Sequence, residues 1–276
     1  MNRGLFLALL LAGALPNVLP AQAPANRDVI LATTTSLQET GLMDTLVPLF
    51  ERSTGYHLRV VAVGSGQALR MGERGDADVL FAHSPAAEQA FMAAGHGARR
   101  RVVASNYLTI VGPADDPAGA RGAASAPDAL RRIAVARAVF VSRGDSSGTH
   151  ARELSLWREA GGRPEWTGYL ESGQGQSASL LLANQRRGYM LTDVSTFTSL
   201  RGRLDLVALR DQDPALLNVY HVIEVSPAGN ARVNTAGGTA FAEFMLSQQV
   251  QDVLQHFGEA RYGAPLFTPA RGVEPR

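Results

Sequence analysis

The chain has 276 residues, 45% of them hydrophobic and 18% charged, with a formal net charge of +1 and no cysteine. Disulfides and thiolate metal sites are thereby excluded, so a core must rest on burial alone. The balanced charge, with basic residues spread along the chain, argues against a nucleic-acid partner. All 26 basic residues are arginine, so an arginine rather than a lysine at any one place means little. At the start, Met1-Asn2-Arg3 leads into an apolar stretch, Leu5 to Leu15, that is short for a bilayer span. Ala21-Gln22-Ala23 and Ala23-Pro24-Ala25 both have A-x-A form, but the first is followed by Pro24. A signal peptide over 1–25, cleaved after Ala25, is therefore expected. No later apolar run approaches the roughly 20 residues of a spanning helix, and no cysteine follows that could take a lipid. The mature chain is expected to be exported, soluble and periplasmic.

Strand and helix patterns then alternate. Asp28 to Ala32 reads as a buried strand, and Leu42, Met43, Leu46, Val47 and Phe50 have helical spacing. His57 to Val63 reads as a second strand, a helix passes through Ala68-Leu69, and Asp78 to Phe81 is a third strand. The run Arg99-Arg100-Arg101 reads as solvated loop. Tyr107 to Val111 begins a further strand, followed by a loop rich in Pro, Gly and Ala out to Pro127. The pattern restarts with a strand at 138–142, helices at 148–160 and 178–187, and a strand at 189–192. A late strand covers 220–225, and 236–257 reads as one helix. Such alternation marks an α/β fold with a largely parallel sheet. Breaks near 104–107 and 217–221 divide it into an outer part, made of both ends, and an inserted middle.

The turns that follow the strands are unusually rich in hydroxyl groups. They are Thr33-Thr34-Thr35-Ser36, Gly64-Ser65-Gly66-Gln67, Arg143-Gly144-Asp145-Ser146-Ser147-Gly148-Thr149 and Gly173-Gln174-Gly175-Gln176-Ser177. Ser36 with Glu39 has the S-x-x-E form of a capping box, which would set the start of the first helix. Each turn alone is ordinary helix capping. Several at the carboxyl ends of strands make a donor-rich, acceptor-poor site suited to a small anion without protons. Gly144 to Gly148 also has the G-x-S-x-G form of a hydrolase elbow, with Ser146 as nucleophile and Asp193 and His221 in the required chain order. No H-G-G-G segment supplies its oxyanion hole, and that reading leaves the other turns unexplained. The six histidines, at 57, 83, 96, 150, 221 and 256, lack zinc-site spacing, so no metal cation is expected.

In order, the segments Leu31–Ser36, Val61–Leu69, Gly75–Leu80, Ser142–His150, Glu171–Gln176 and Leu191-Thr192-Asp193 resemble the substrate-binding protein of bacterial ABC-type tungstate importers. So does the ending, from Phe257-Gly258 to Phe267. The likeness runs from about residue 28 to about residue 268. It implies a two-lobed α/β periplasmic binding protein of type II, with two crossover segments and mixed sheets carrying helices on both faces. Lobe 1 would comprise 26–105 and 220–276, and lobe 2 would comprise 106–219. The oxyanion would be held by Thr34, Thr35, Ser36 and Ser65 from lobe 1, and by Arg143, Ser147 and Thr149 from lobe 2. Asp145 is expected to turn from the anion and orient Arg143. The resemblance further implies a non-enzymatic, monomeric receptor that takes tungstate as ligand, needs no cofactor and delivers its cargo to an inner-membrane permease. Molybdate and phosphate are the rival ligands, and phosphate gains if Asp145 or Asp193 enters the cleft as an acceptor. Two departures from the family pattern stand out: Val194 follows the T-D pair, and Asn218-Val219-Tyr220 replaces the commoner N-P-Y near the hinge.

Overall fold

The computed structural model describes residues 26–163, 165–228 and 230–275, so the expected signal peptide lies outside the described residues. The first half of lobe 1 alternates as its hydrophobic runs dictate. It runs β1 (Asp28–Thr34), α1 (Thr35–Glu39), α2 (Leu42–Thr54), β2 (His57–Val63), α3 (Ser65–Arg74), β3 (Val79–Ala82) and α4 (Pro85–Ala93). The long strand β4 (Gly97–Pro113) then leaves this lobe for the other. There follow α5 (Ala126–Val135), β5 (Phe140–Ser142), α6 (Gly148–Glu159), β6 (Tyr169–Glu171), α7 (Gln176–Gln185), β7 (Met190–Asp193), α8 (Val194–Leu200) and β8 (Leu206–Arg210). The chain returns along β9 (Leu217–Val225) and ends with α9 (Thr235–Leu246), α10 (Gln248–His256), α11 (Glu259–Tyr262) and β10 (Thr268–Pro269).

The lobe-1 sheet has the order β10-β4-β9-β3-β1-β2. β1 pairs in parallel with both β2 and β3, whereas β9 runs antiparallel to β3 and β4. β4 changes partners along its length. Up to Tyr107 it pairs with β9; from Leu108 onward it pairs with β7 and then β8. β5 and β6 form a short parallel pair, and Phe140 bridges to Tyr189 just before β7. Each lobe has its own core. Leu31, Phe50, Phe81, Tyr220 and Phe241 centre that of lobe 1, with the Phe50 and Phe241 rings edge to face at 5.3 Å. Ile110, Phe140, Leu156, Trp157 and Tyr189 centre that of lobe 2.

Three local readings of the sequence change. Arg99-Arg100-Arg101 is not loop but part of β4, held there by carboxylates far away in sequence. Arg99 and Arg101 both pair with Glu224 on β9, and Arg100 pairs with Glu88 on α4. The expected helix 236–257 is two helices, because Ser247 ends α9 and caps α10 by accepting from the Val250 amide. The first helix is capped by Thr34, whose hydroxyl accepts from the Leu37 amide, and not by a Ser36–Glu39 box. Glu39 instead reaches the start of α7, where it accepts from the amide and hydroxyl of Ser177.

Candidate functional site

The cleft between the lobes is bounded by the ends of β1, β2 and β5 and by the loop before α7. From lobe 1 it receives the Thr34–Ser36 turn and the start of α3; from lobe 2, the starts of α6 and α7. The first amides of a helix lack partners within the helix, and the aligned peptide dipoles place partial positive charge there. α3 opens after Gly64, α6 is capped by Ser147, and α7 opens after Gly175.

The two lobes touch here. Asp145 lies against Gly64, and a Cβ built on Gly148 would sit 2.6 Å from the Ser84 hydroxyl, 3.0 Å from the His83 carbonyl and 3.1 Å from the Ser65 hydroxyl. Glycine at 148 is therefore what lets α6 approach lobe 1. Gly144, at φ 60°, supports the turn that brings Arg143 round, and a Cβ there would lie 2.9 Å from that of Glu171.

Every expected site residue falls on these turns, and all but the half-buried Thr35 are buried. The Thr34 and Ser36 hydroxyls are 3.1 Å apart. Ser65 is 1% exposed, and its hydroxyl has no hydrogen-bond partner. An unpartnered hydroxyl buried in a polar cleft is a donor kept for something else. Ser147 accepts from the His150 amide as a helix cap, and Thr149 is buried in the first turn of α6.

Arg143 is 2% exposed and tightly constrained. Its Nε donates to the Gln174 carbonyl at 3.0 Å, one terminal nitrogen to the Gln176 side-chain carbonyl and the other to the Asp145 carboxylate. Gln176, itself fully buried, donates onward to the Thr192 hydroxyl at 2.7 Å. Asp145 thus orients the guanidinium, and its second oxygen accepts from the Ser147 amide at 3.1 Å. Four nitrogen-bound hydrogens sit on the two terminal nitrogens of a guanidinium, so Arg143 keeps donors beyond these contacts.

Asp193 stands at the hinge, where both of its oxygens are occupied. One accepts from Asn106 and Ser195; the other accepts from Asn218 at 3.0 Å and Tyr220 at 2.7 Å. Each oxygen of Asp145 and of Asp193 therefore already accepts a hydrogen bond from the protein. The residues of the hydrolase reading lie apart. Ser146 is exposed, with its amide donating to His150, Asp193 is in the hinge network, and His221 is paired with Glu88.

Two residues near the site carry no sequence signal. His83, at the end of β3, lies between Ser36 and Asn218, and burial holds its imidazole below the usual histidine value. Glu153, on the buried face of α6 behind Ser142, is pushed up to about 7 by burial. It accepts from the Tyr169 hydroxyl at 2.8 Å. Their signal is spatial: each meets its partners only once distant strands and helices have packed.

A family profile described as a PBP superfamily domain matches residues 20–249. The chain is 42% identical over 273 residues to the tungstate-binding protein TupA of Peptoclostridium acidaminophilum, covering 96% of this chain and 95% of that one. Among solved structures it matches the tungstate-binding protein TupA of Desulfovibrio alaskensis G20 at 41% identity and a TM-score of 0.74, over 88% of this chain and 98% of that one. It also matches the tungstate ABC transporter structure from Geobacter sulfurreducens at 38% identity and a TM-score of 0.75, over 83% and 98% of the respective chains. On sequence and fold together, the chain belongs to the PBP superfamily and, within it, to the family of tungstate-binding proteins.

Proposed function

We propose that this protein is an extracytoplasmic receptor that closes on tungstate and delivers it to an ABC-type permease, without catalysing a reaction and without a cofactor. The donors are the Thr34, Thr35, Ser36 and Ser65 groups of lobe 1 and the Arg143, Ser147 and Thr149 groups of lobe 2. The lobes divide as 26–105 with 220–276, and 106–219. The receptor acts as a monomer in the periplasm after removal of residues 1–25. Among the described residues no helix is long and apolar enough to cross a membrane, which accords with that location.

The observation that carries this reading is that both oxygens of each carboxylate are engaged within the protein beside a buried, unpartnered donor. Asp145 and Asp193 are engaged within the protein, while the Ser65 hydroxyl has no partner. Tungstate at neutral pH is a dianion without a proton, so it can only accept hydrogen bonds. Phosphate carries a proton that needs an acceptor, and each carboxylate already holds donors of the protein's own on both oxygens. Charge-assisted hydrogen bonds contribute roughly 1.5–3 kcal/mol each. Six or seven of them, before any opposing cost, match the roughly 12 kcal/mol of nanomolar binding. Dehydration of the anion offsets much of that, so closure into a dry cleft and the helix N-termini must contribute as well.

Isothermal titration calorimetry of the mature, anion-free protein against tungstate, molybdate, sulfate and phosphate tests the reading. Tight one-to-one binding of tungstate is expected, with phosphate and sulfate far weaker. Phosphate bound in preference to tungstate would overturn the ligand assignment. Ester hydrolysis abolished by Ser146→Ala would overturn the non-enzymatic one.

A further inference from the structure

The tungstate reading leaves unexplained a run of buried side chains that links the hinge to the cleft. At one end is Asp193, which can only accept. Its two oxygens therefore hold the amide nitrogens of Asn106 and Asn218 toward them, at 3.1 and 3.0 Å. The Asn218 nitrogen also faces the Asn106 side-chain oxygen at 2.9 Å, which fixes the same orientation a second time. The Asn218 oxygen is consequently turned to His83 Nδ1, 3.0 Å away. An amide oxygen requires a donor, so the hydrogen of His83 is on Nδ1. His83 Nε2, 3.3 Å from the Ser36 hydroxyl, is then a bare lone pair whenever the ring is neutral.

The direction of every hydrogen bond beyond that point follows. With His83 neutral, Ser36 donates to Nε2 and Thr34 donates to Ser36 across 3.1 Å. Both hydroxyl hydrogens then point toward the hinge, and the oxygens turn lone pairs to the cleft. That arrangement repels a proton-free anion. With His83 protonated, Nε2 donates to Ser36, and Ser36 and Thr34 can turn their hydrogens outward. We propose that His83 is the positioning residue of the anion site: it takes up a proton as the dianion binds, and so reverses the Thr34–Ser36 hydrogen-bond chain into a donor pair. This inference rests on the tungstate reading above.

The charges around the ring favour such an exchange. Burial is the largest influence and opposes the protonated ring, the charges of Asp193 and of Glu88 on α4 favour it, as does the Asn218 contact, and Arg143 opposes it. The Tyr220 ring lies 4.9 Å from it. Arg143 is already paired with Asp145, so that pair brings no net positive charge to a dianion. A proton on His83 supplies one. Because bound anion raises the proton affinity of His83, tungstate affinity is constant below the pKa of the free protein's ring. It then falls by as much as about tenfold per pH unit until the pKa of the complex is passed.

The test is nitrogen NMR of the His83 ring together with calorimetry in two buffers of different ionisation enthalpy, on the full mature chain. In free protein at neutral pH the ring should be neutral and protonated on Nδ1. In the tungstate complex both nitrogens should carry hydrogen, with up to about one proton taken up per anion. His83→Gln should bind tungstate more weakly and lose the proton uptake. Ser36→Ala, which cuts the chain but keeps the ring, should reduce the uptake. If tungstate binds while His83 stays neutral, or if His83→Gln keeps the same pH profile, the inference is wrong and the receptor reading stands. If tungstate does not bind at all, the receptor reading fails and this one with it. Should the variants fail to fold, the ring signals of the natural protein decide the matter alone.

Discussion

Arg143 and Asp145 offer the most informative perturbation of the cleft. Arg143→Ala removes a guanidinium that is 2% exposed and takes one donor from each of its partners: the Gln174 carbonyl, the Gln176 side chain and the Asp145 carboxylate. Loss of one charge-assisted bond to the anion costs roughly 1.5–3 kcal/mol. Asp145 weighs more, because its side chain is 18% exposed and would face the dianion uncompensated. Breaking a largely buried pair by removing one member typically costs about 3–5 kcal/mol. That cost falls on folding; the lost bond itself predicts a fall in tungstate affinity of about 10- to 150-fold, which the uncompensated Asp145 charge deepens. The double variant Arg143→Ala, Asp145→Ala separates the lost hydrogen bond from the exposed charge. Calorimetric titration should find it binding at least about tenfold more tightly than Arg143→Ala, because the repelling charge is gone. A double variant as weak as the single one, with circular dichroism showing both folded, would refute the claim that Asp145 matters through Arg143.

Further outcomes follow from the same geometry. Ser65→Ala should leave the melting temperature of the ligand-free protein nearly unchanged, since its hydroxyl has no partner, yet weaken tungstate binding by roughly 10- to 100-fold. Equal binding would show that Ser65 does not face the anion. Gly148→Ala places a methyl group against Ser84, His83 and Ser65, so small-angle scattering should find a cleft that stays open with ligand added. Closure as in the natural protein would contradict the contact. Glu153, raised from 4.5 to about 7, is protonated more in the folded than in the unfolded chain between those values. Its contribution to stability is therefore full below pH 4.5 and is lost as pH rises to about 7, by roughly 3 kcal/mol in all. Glu153→Gln should melt higher than the natural protein above neutral pH and flatten this dependence; parallel melting curves would count against it.

The strands that could be read from sequence are those whose information is local. His57 to Val63 is bounded by its own hydrophobic run and by glycine, and the structure has the same limits. The donor-rich turns are legible for the same reason, since hydroxyls and glycines before a helix form a short pattern. The arginines of β4 are misread because Glu224 and Glu88, which make them tolerable in a sheet, lie elsewhere in the chain. Glu39 has a plausible local partner in Ser36 but a better one at the start of α7, 138 residues on. His83 has no pattern at all, since its meaning comes from Asn218, 135 residues away.

β4 passes from one lobe to the other as a single 17-residue strand, its ladder shared by β9 and β10 on one side of the crossing and by β7 and β8 on the other. Melting of one half would leave the other to end in a frayed, mobile strand at the crossing, so loss of order on one side weakens the ladder on the other. The two lobes should accordingly lose structure together, giving one calorimetric endotherm whose van't Hoff and calorimetric enthalpies agree. Two resolved transitions would show that the ladder breaks at Tyr107. Cooperative melting also sets how damage spreads: a core substitution in the lobe of Trp157 should raise hydrogen exchange along β1, in a lobe it does not touch.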